Sequence, residues 1–210
     1  PTDAEKGSIR FDCNISAQVT TIQDGNTKAD QATRELPASC LPDANQMKLH
    51  LTGTSTATEY HYENMAAYDQ PLLDPDDYTA QFTYGDPEAE GPQAAYFEGK
   101  TTCTVAARQT VTQPVTHALA NSLYTLEFSE WFKKYYTSCQ IQITTSSGYQ
   151  SGHTITSVTD PVPIFVKPNS TLYMSGTAVK TNGAEVTFPK TEIGTTLART
   201  WHTIVVDAGS

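Results

Sequence analysis

The chain has 210 residues, 17% of them charged, and 23 acidic against 13 basic side chains give it a formal net charge of −10. That balance excludes a sequence-independent grip on nucleic acid, which needs clustered Lys and Arg, whereas the only adjacent basic pair is Lys133-Lys134. No run approaches the roughly 18 apolar residues of a membrane-crossing helix. The opening "PTDAEKGSIRF" has neither a basic nor an apolar leader region, so any export signal is expected to have been removed upstream.

From the N-terminus onward the dominant pattern is period-two alternation, the mark of strands with one buried face. It is present in "SIRFDCNISAQV" (8 to 19), "MKLHLTG" (47 to 53), "DYTAQFTYG" (77 to 85), "TTCTVAA" (101 to 107) and "TVTQPVTHAL" (110 to 119). Between the first two lies "TTIQDGNTKADQATRELPASCLPDANQ" (20 to 46), expected to be a long loop covering a sheet edge or carrying function. "PEAEGPQ" (87 to 93) is expected to be a second, flexible loop. Further along, Tyr124-Leu126-Phe128 and Cys139-Ile141-Ile143 alternate on either side of a short insert. "HTITSV" (153 to 158), "VPIFVK" (162 to 167), "TLYMSGTAV" (171 to 179), "AEVTFPK" (184 to 190) and "RTWHTIVVDA" (199 to 208) complete the series.

Ten or so short strands predict an all-β protein of sandwich type. Turn residues fall where the alternation breaks, at Gly25-Asn26, Gly85-Asp86-Pro87, Pro168-Asn169 and Asn182-Gly183, the last being the strongest hairpin signal. Pro114 and Pro163 predict edges or bulges. A change of pattern near "HALANS" (117 to 122) predicts two packed β-sandwich domains end to end, residues 1–117 and 118–210.

Cys13, Cys40, Cys103 and Cys139 show no C-x-x-C spacing, which argues against a zinc cluster or a redox motif. Three of them share the apolar phase of a strand, so buried thiols and disulfides both remain open. His50, His61, His117, His153 and His202 have no chelating spacing, and each is expected on a solvent-facing strand position; no metal site or cofactor is predicted. Asp69, Asp74, Asp76 and Asp77 lack the Gly-punctuated spacing of a calcium loop and read as a solvated turn. Asp86, Glu88 and Glu90 sit in one turn rather than facing each other across a cleft.

No G-x-S-x-G, H-E-x-x-H or phosphate-cradling loop occurs, so a non-catalytic role is expected. The insert Trp131-Phe132-Lys133-Lys134-Tyr135-Tyr136 is the one candidate helix, with Ser129 as its cap and Glu130 and the lysines favourably placed for the helix dipole. Its aromatics are either a plug on the core or a binding platform of Trp131, Tyr135, Tyr136 and Trp201. A last candidate is the terminal run with His202, Ile204 and Val206, which is either an ordinary final strand or a segment that docks onto another subunit's sheet edge.

The stretch from "DDYTAQFTYGDPEAEGPQAAYFEG" through "HALANS", together with "GTAVKTNGAEVTFPKTEIGTTLARTWHTIVVDA", resembles a family of Bacteroides exported lipoproteins catalogued as a domain of unknown function. The resemblance implies export to the outer membrane or cell surface, with a lipid anchor upstream of Pro1. It also implies kinship with fimbrillin and fimbrial-anchor proteins of two transthyretin-like sandwiches, and it brings no catalytic residues. The expected function is a non-enzymatic fimbrial subunit, anchor or adhesin whose partners are surface or fimbrial proteins; the alternative is a carbohydrate-binding module that captures surface glycans.

Overall fold

The structure, a computed structural model, describes residues 3–24, 32–156 and 161–207. Its regular structure is mostly strand, and the chain divides into two compact units. The first comprises 1–17, 36–85 and 96–119, and the second 18–35, 86–95 and 120–210. Residues 18–35 and 86–95, which a single cut after His117 would assign to the first half, lie in the second unit.

The first unit contains β1 (Ser8–Ile15), β4 (Lys48–Gly53), β5 (Glu59–Tyr62), β6 (Asp76–Tyr84), β7 (Phe97–Val105) and β8 (Thr110–Leu119), in one sheet of order β1-β8-β7-β6-β4-β5. β1 and β8 run parallel, and β7 meets β8 only at Phe97–Leu119 and Glu98–Ala118. In a flat sheet β1 would lie about 14 Å from β6, three strand spacings away. Yet Phe11 of β1 and His117 of β8 both touch the ring of Phe82 on β6, with centroids 5.2 and 4.7 Å away. The sheet therefore folds back on itself and encloses a core that includes Ile9, Leu49, Leu51, Tyr78, Phe82, Phe97 and Leu119. Pro114 lies where β8 is paired on one side only, with Asp12 of β1, so its missing N–H costs no ladder bond.

The second unit is a two-sheet sandwich. One sheet has the order β12-β9-β15-β2-β3, from β12 (Ile164–Val166), β9 (Ser122–Phe128), β15 (Thr200–Val206), β2 (Gln18–Asp24) and β3 (Ala32–Glu35). The other has the order β11-β10-β13-β14, from β11 (Gln150–His153), β10 (Tyr136–Thr145), β13 (Thr171–Lys180) and β14 (Glu185–Thr195). Tyr124, Leu126 and Phe128 of the first sheet and Cys139, Ile141 and Ile143 of the second meet in one buried cluster, closed by Phe132.

Several expectations are corrected. The segment 20–46 is not one long loop, because β2 continues to Asp24 and Ala32–Glu35 adds a strand beside it. The run 8–19 is not one strand but two, broken at Ser16-Ala17, where the chain passes from one unit to the other. Residues 87–93 are anchored rather than flexible: Gly91 exchanges both backbone hydrogen bonds with Phe165, at 2.8 Å each, and Glu90 accepts from Thr145 and from the backbone of Lys167. The short strand β5 gave no alternation signal of its own. All four cysteines are free, and burial pushes the Cys13 thiol up to about 11. The Gly25-Asn26 turn lies outside the described residues, as does the end of the 153–158 run.

Candidate functional site

The insert folds as a six-residue helix, α1 (Glu130–Tyr135). Ser129 caps it: its hydroxyl accepts from the Phe132 N–H at 3.1 Å and donates to Asp207 Oδ1 at 2.7 Å. Glu130 stands in the first turn and Lys133 and Lys134 in the last, each at the end where the helix dipole favours its sign. The next turn of chain returns directly into β10.

Helical spacing then decides which aromatics are buried, because residues four apart share a face. Phe132 and Tyr136 point inward and stack at 4.4 Å between centroids, with Phe188 beside both. Trp131 and Tyr135 point outward, 58% and 48% exposed. Their rings stand 6.0 Å apart and only 9° from parallel. The insert is thus a plug on one face and an exposed aromatic pair on the other.

A cleft of about 470 Å³ opens beside this pair, lined by Trp131, Tyr135, Tyr136, Lys180, Asn182 and Asp207, with Thr181 between the two hairpin residues. The hairpin that supplies its far wall is the one Asn182-Gly183 announces. Gly183 adopts φ of 87° and donates to the Lys180 carbonyl, while Asn182 Oδ1 accepts from the Ala184 N–H at 3.0 Å. The Thr181 N–H in turn donates to the carbonyl of Tyr135 at 2.9 Å, which ties the hairpin tip to the C-terminal end of α1. The Lys134 ammonium lies 5.1 Å from the Trp131 ring and 5.9 Å from Tyr135, within cation–π reach of the first and at its limit for the second. Two flat apolar faces with amide, hydroxyl, ammonium and carboxylate groups around them form a surface suited to a ring-shaped polar ligand.

The other predicted site residues are not part of the exposed pair. Tyr136 is buried beneath the pair, and Trp201, 3% exposed, lies on β15, where its indole N–H donates to Thr125 at 3.0 Å and the Arg34 guanidinium covers its face at 3.5 Å. His202, Ile204 and Val206 are buried as well, since β15 runs between β9 and β2, parallel to both. With both its edges taken, β15 would have to be stripped from two neighbours before it was free to dock elsewhere.

The histidines depart most from expectation. His117 and His202 are fully buried, and burial lowers the pKa of half-buried His153. His50 and His61 face solvent and come together across β4 and β5, a proximity that eleven residues of separation conceal. Among the acidic residues, Asp76 is held at about 2 by the backbone N–H groups of Thr56 and Ser55, so it organises the turn before β5.

No curated protein matches the chain. It is similar to a provisionally assigned cell adhesion protein of Bacteroides ovatus, at 10% identity and a TM-score of 0.44 over 99% of this chain and 94% of that one. It is also similar to a provisionally assigned polysaccharide-binding protein of Bacteroides thetaiotaomicron, at 9% identity and 0.44 over 95% and 90%. A fimbrial protein of Bacteroides ovatus is similar at 10% identity and 0.39, over 97% of this chain and 49% of that one. The family match runs over residues 5–210, and the chain belongs to the family described as a domain of unknown function (DUF4493).

Proposed function

We propose that the chain is a non-catalytic, adhesin-like component of the cell surface that holds glycans on the Trp131–Tyr135 pair. The observation that carries this reading is the exposure of two large aromatic rings held nearly parallel beside a cleft with Asn182, Thr181, Lys180 and Asp207. Sugar rings present apolar C–H faces and polar hydroxyl edges, and aromatic planes flanked by hydrogen-bonding side chains complement both. A structural role alone leaves the pair unexplained, because Phe132 and Tyr136 already plug the core. A cell-surface location and a lipid anchor belong to the same proposal.

Assembly by strand addition is the weaker reading of the surface role. The long edge strand β14 carries Pro189, Lys190, Glu185 and Glu192, residues that discourage edge-to-edge pairing. Affinity electrophoresis against a panel of polysaccharides tests the glycan reading. At least one polysaccharide should retard the protein, and Trp131→Ala or Tyr135→Ala should weaken that interaction about tenfold or more. Retardation unchanged in both variants, or none with any polysaccharide, would remove the reading.

A further inference from the structure

The first unit holds a second constellation that owes nothing to the aromatic pair. β4 and β5 pair antiparallel with His50 directly opposite His61, and Glu59 lies two residues from His61 on the same face. The two imidazoles stack 4.1 Å apart at 15°. Each aims Nε2 at the same carboxylate oxygen, Glu59 Oε1, at 3.0 Å from His50 and 2.9 Å from His61. The three ligand atoms lie within 4.8 Å of one another. Alternation dictates this placement: Leu49 and Leu51 go to the core and His50 points out, while Tyr60 and Tyr62 stack on the face opposite to Glu59 and His61.

We propose that His50, Glu59 and His61 bind one divalent transition-metal ion of the zinc type, with the remaining coordination position open. Two imidazole nitrogens and one carboxylate oxygen form a donor set that zinc accepts in sites with an open fourth position. Calcium and magnesium, which prefer all-oxygen shells, suit it poorly. Ligand atoms about 2.0–2.1 Å from a tetrahedral ion stand about 3.3 Å apart, so the two histidine–carboxylate distances must widen by only a few tenths of an ångström. The required tilt of each ring is about a histidine χ2 torsion, which is broad and soft.

Among the described residues, no further histidine, cysteine or carboxylate joins the three ligand atoms, and Gln81, paired with His50 on β6, offers only a neutral amide. Glu63, the next outward residue of the chain, is paired with Lys48 at 3.6 Å, and Thr52 stands opposite Glu59. The fourth position is therefore left to water or to a carboxylate or imidazole of another molecule. Because β5 is the end strand of its sheet, the ion would also pin that four-residue strand to β4.

Calorimetric titration of the tag-free, chelator-stripped chain with zinc chloride tests this. The expected result is saturable one-to-one binding, weakened more than about tenfold by His50→Ala or His61→Ala. All three positions are at least partly open to solvent, so these variants should leave the fold in place. In proton NMR, zinc should shift the ring signals of His50 and His61 and leave those of buried His117 and His202 unchanged. Zinc binding that survives both substitutions, or no saturable binding, would overturn the proposal.

Discussion

Asp24 and His202 hold each other inside the second unit, with side chains 8% and 1% exposed. The Leu197 N–H donates to His202 Nε2 at 3.1 Å, so that nitrogen is the acceptor and Nδ1–H donates to Asp24 Oδ1, also at 3.1 Å. This bond joins β15 to β2, and it explains why a histidine occupies a strand buried on both faces. Removing either partner strands a buried polar group, so Asp24→Ala or His202→Ala should destabilise the protein by about 3 kcal/mol. The midpoint of urea unfolding measures it; a shift no larger than that of an exposed-site control would contradict the account.

His117 makes stability depend on pH. Its ring is buried against Phe82 with neither nitrogen partnered among the described residues, and burial lowers its pKa from 6.5 to about 4. Between these values the unfolded chain binds the proton and the folded chain does not. Stability is therefore fully present above about pH 6.5 and falls as the pH drops towards 4, by about 3 kcal/mol. His153, lowered by burial in the same direction, adds to the slope. Unfolding curves at several pH values should steepen in this window for the native chain and flatten for His117→Phe, which keeps an aromatic ring in that space.

Ser129 links the fold to the binding face. Its hydroxyl both caps α1 and donates to Asp207, which lines the cleft. Ser129→Ala should cost about 1 kcal/mol of stability. It should also weaken glycan binding while Trp131 and Tyr135 remain, because the turn that holds them parallel loosens. Affinity unchanged in a folded Ser129→Ala protein would separate the cap from the site.

Gly176 is a position where backbone conformation excludes a side chain. It adopts φ of 151° at the irregularity between Met174 and Gly176 on β13, and a Cβ there would overlap the carbonyl oxygen of Gln140 on the paired strand. Gly176→Ala should lower stability by about 2 kcal/mol or more, read by thermal or urea unfolding. Gly152, with open space around its Cα, should tolerate alanine and serves as the control.

Local pattern carried much of this architecture. The alternation in "MKLHLTG" and "DYTAQFTYG" located β4 and β6 to within a residue, and Asn182-Gly183 marked the hairpin that walls the cleft. His117 was legible too: it shares the phase of Val115 and Leu119 on β8, so its inward direction follows from alternation rather than from the average habit of histidine. What local pattern does not carry is pairing between distant segments. Residues 20–24 of β2 read as loop because their place depends on parallel pairing with a strand some 180 residues away, and β3, exposed along its length, is ordered only by its antiparallel pairing with β2. The His50–His61 pair depends on antiparallel register in the same way. In the insert, the i to i+4 spacing of a helix sorts Phe132 and Tyr136 from Trp131 and Tyr135, so plug and platform were never exclusive.

The most direct test of the glycan reading is the fluorescence of Trp131 alone, in a Trp201→Phe protein, under acrylamide quenching with and without a polysaccharide that the chain retains. The account predicts red-shifted, readily quenched emission for the free protein, because Trp131 is exposed, and marked protection once the glycan is bound. Bound glycan that leaves the quenching of Trp131 unchanged would contradict it.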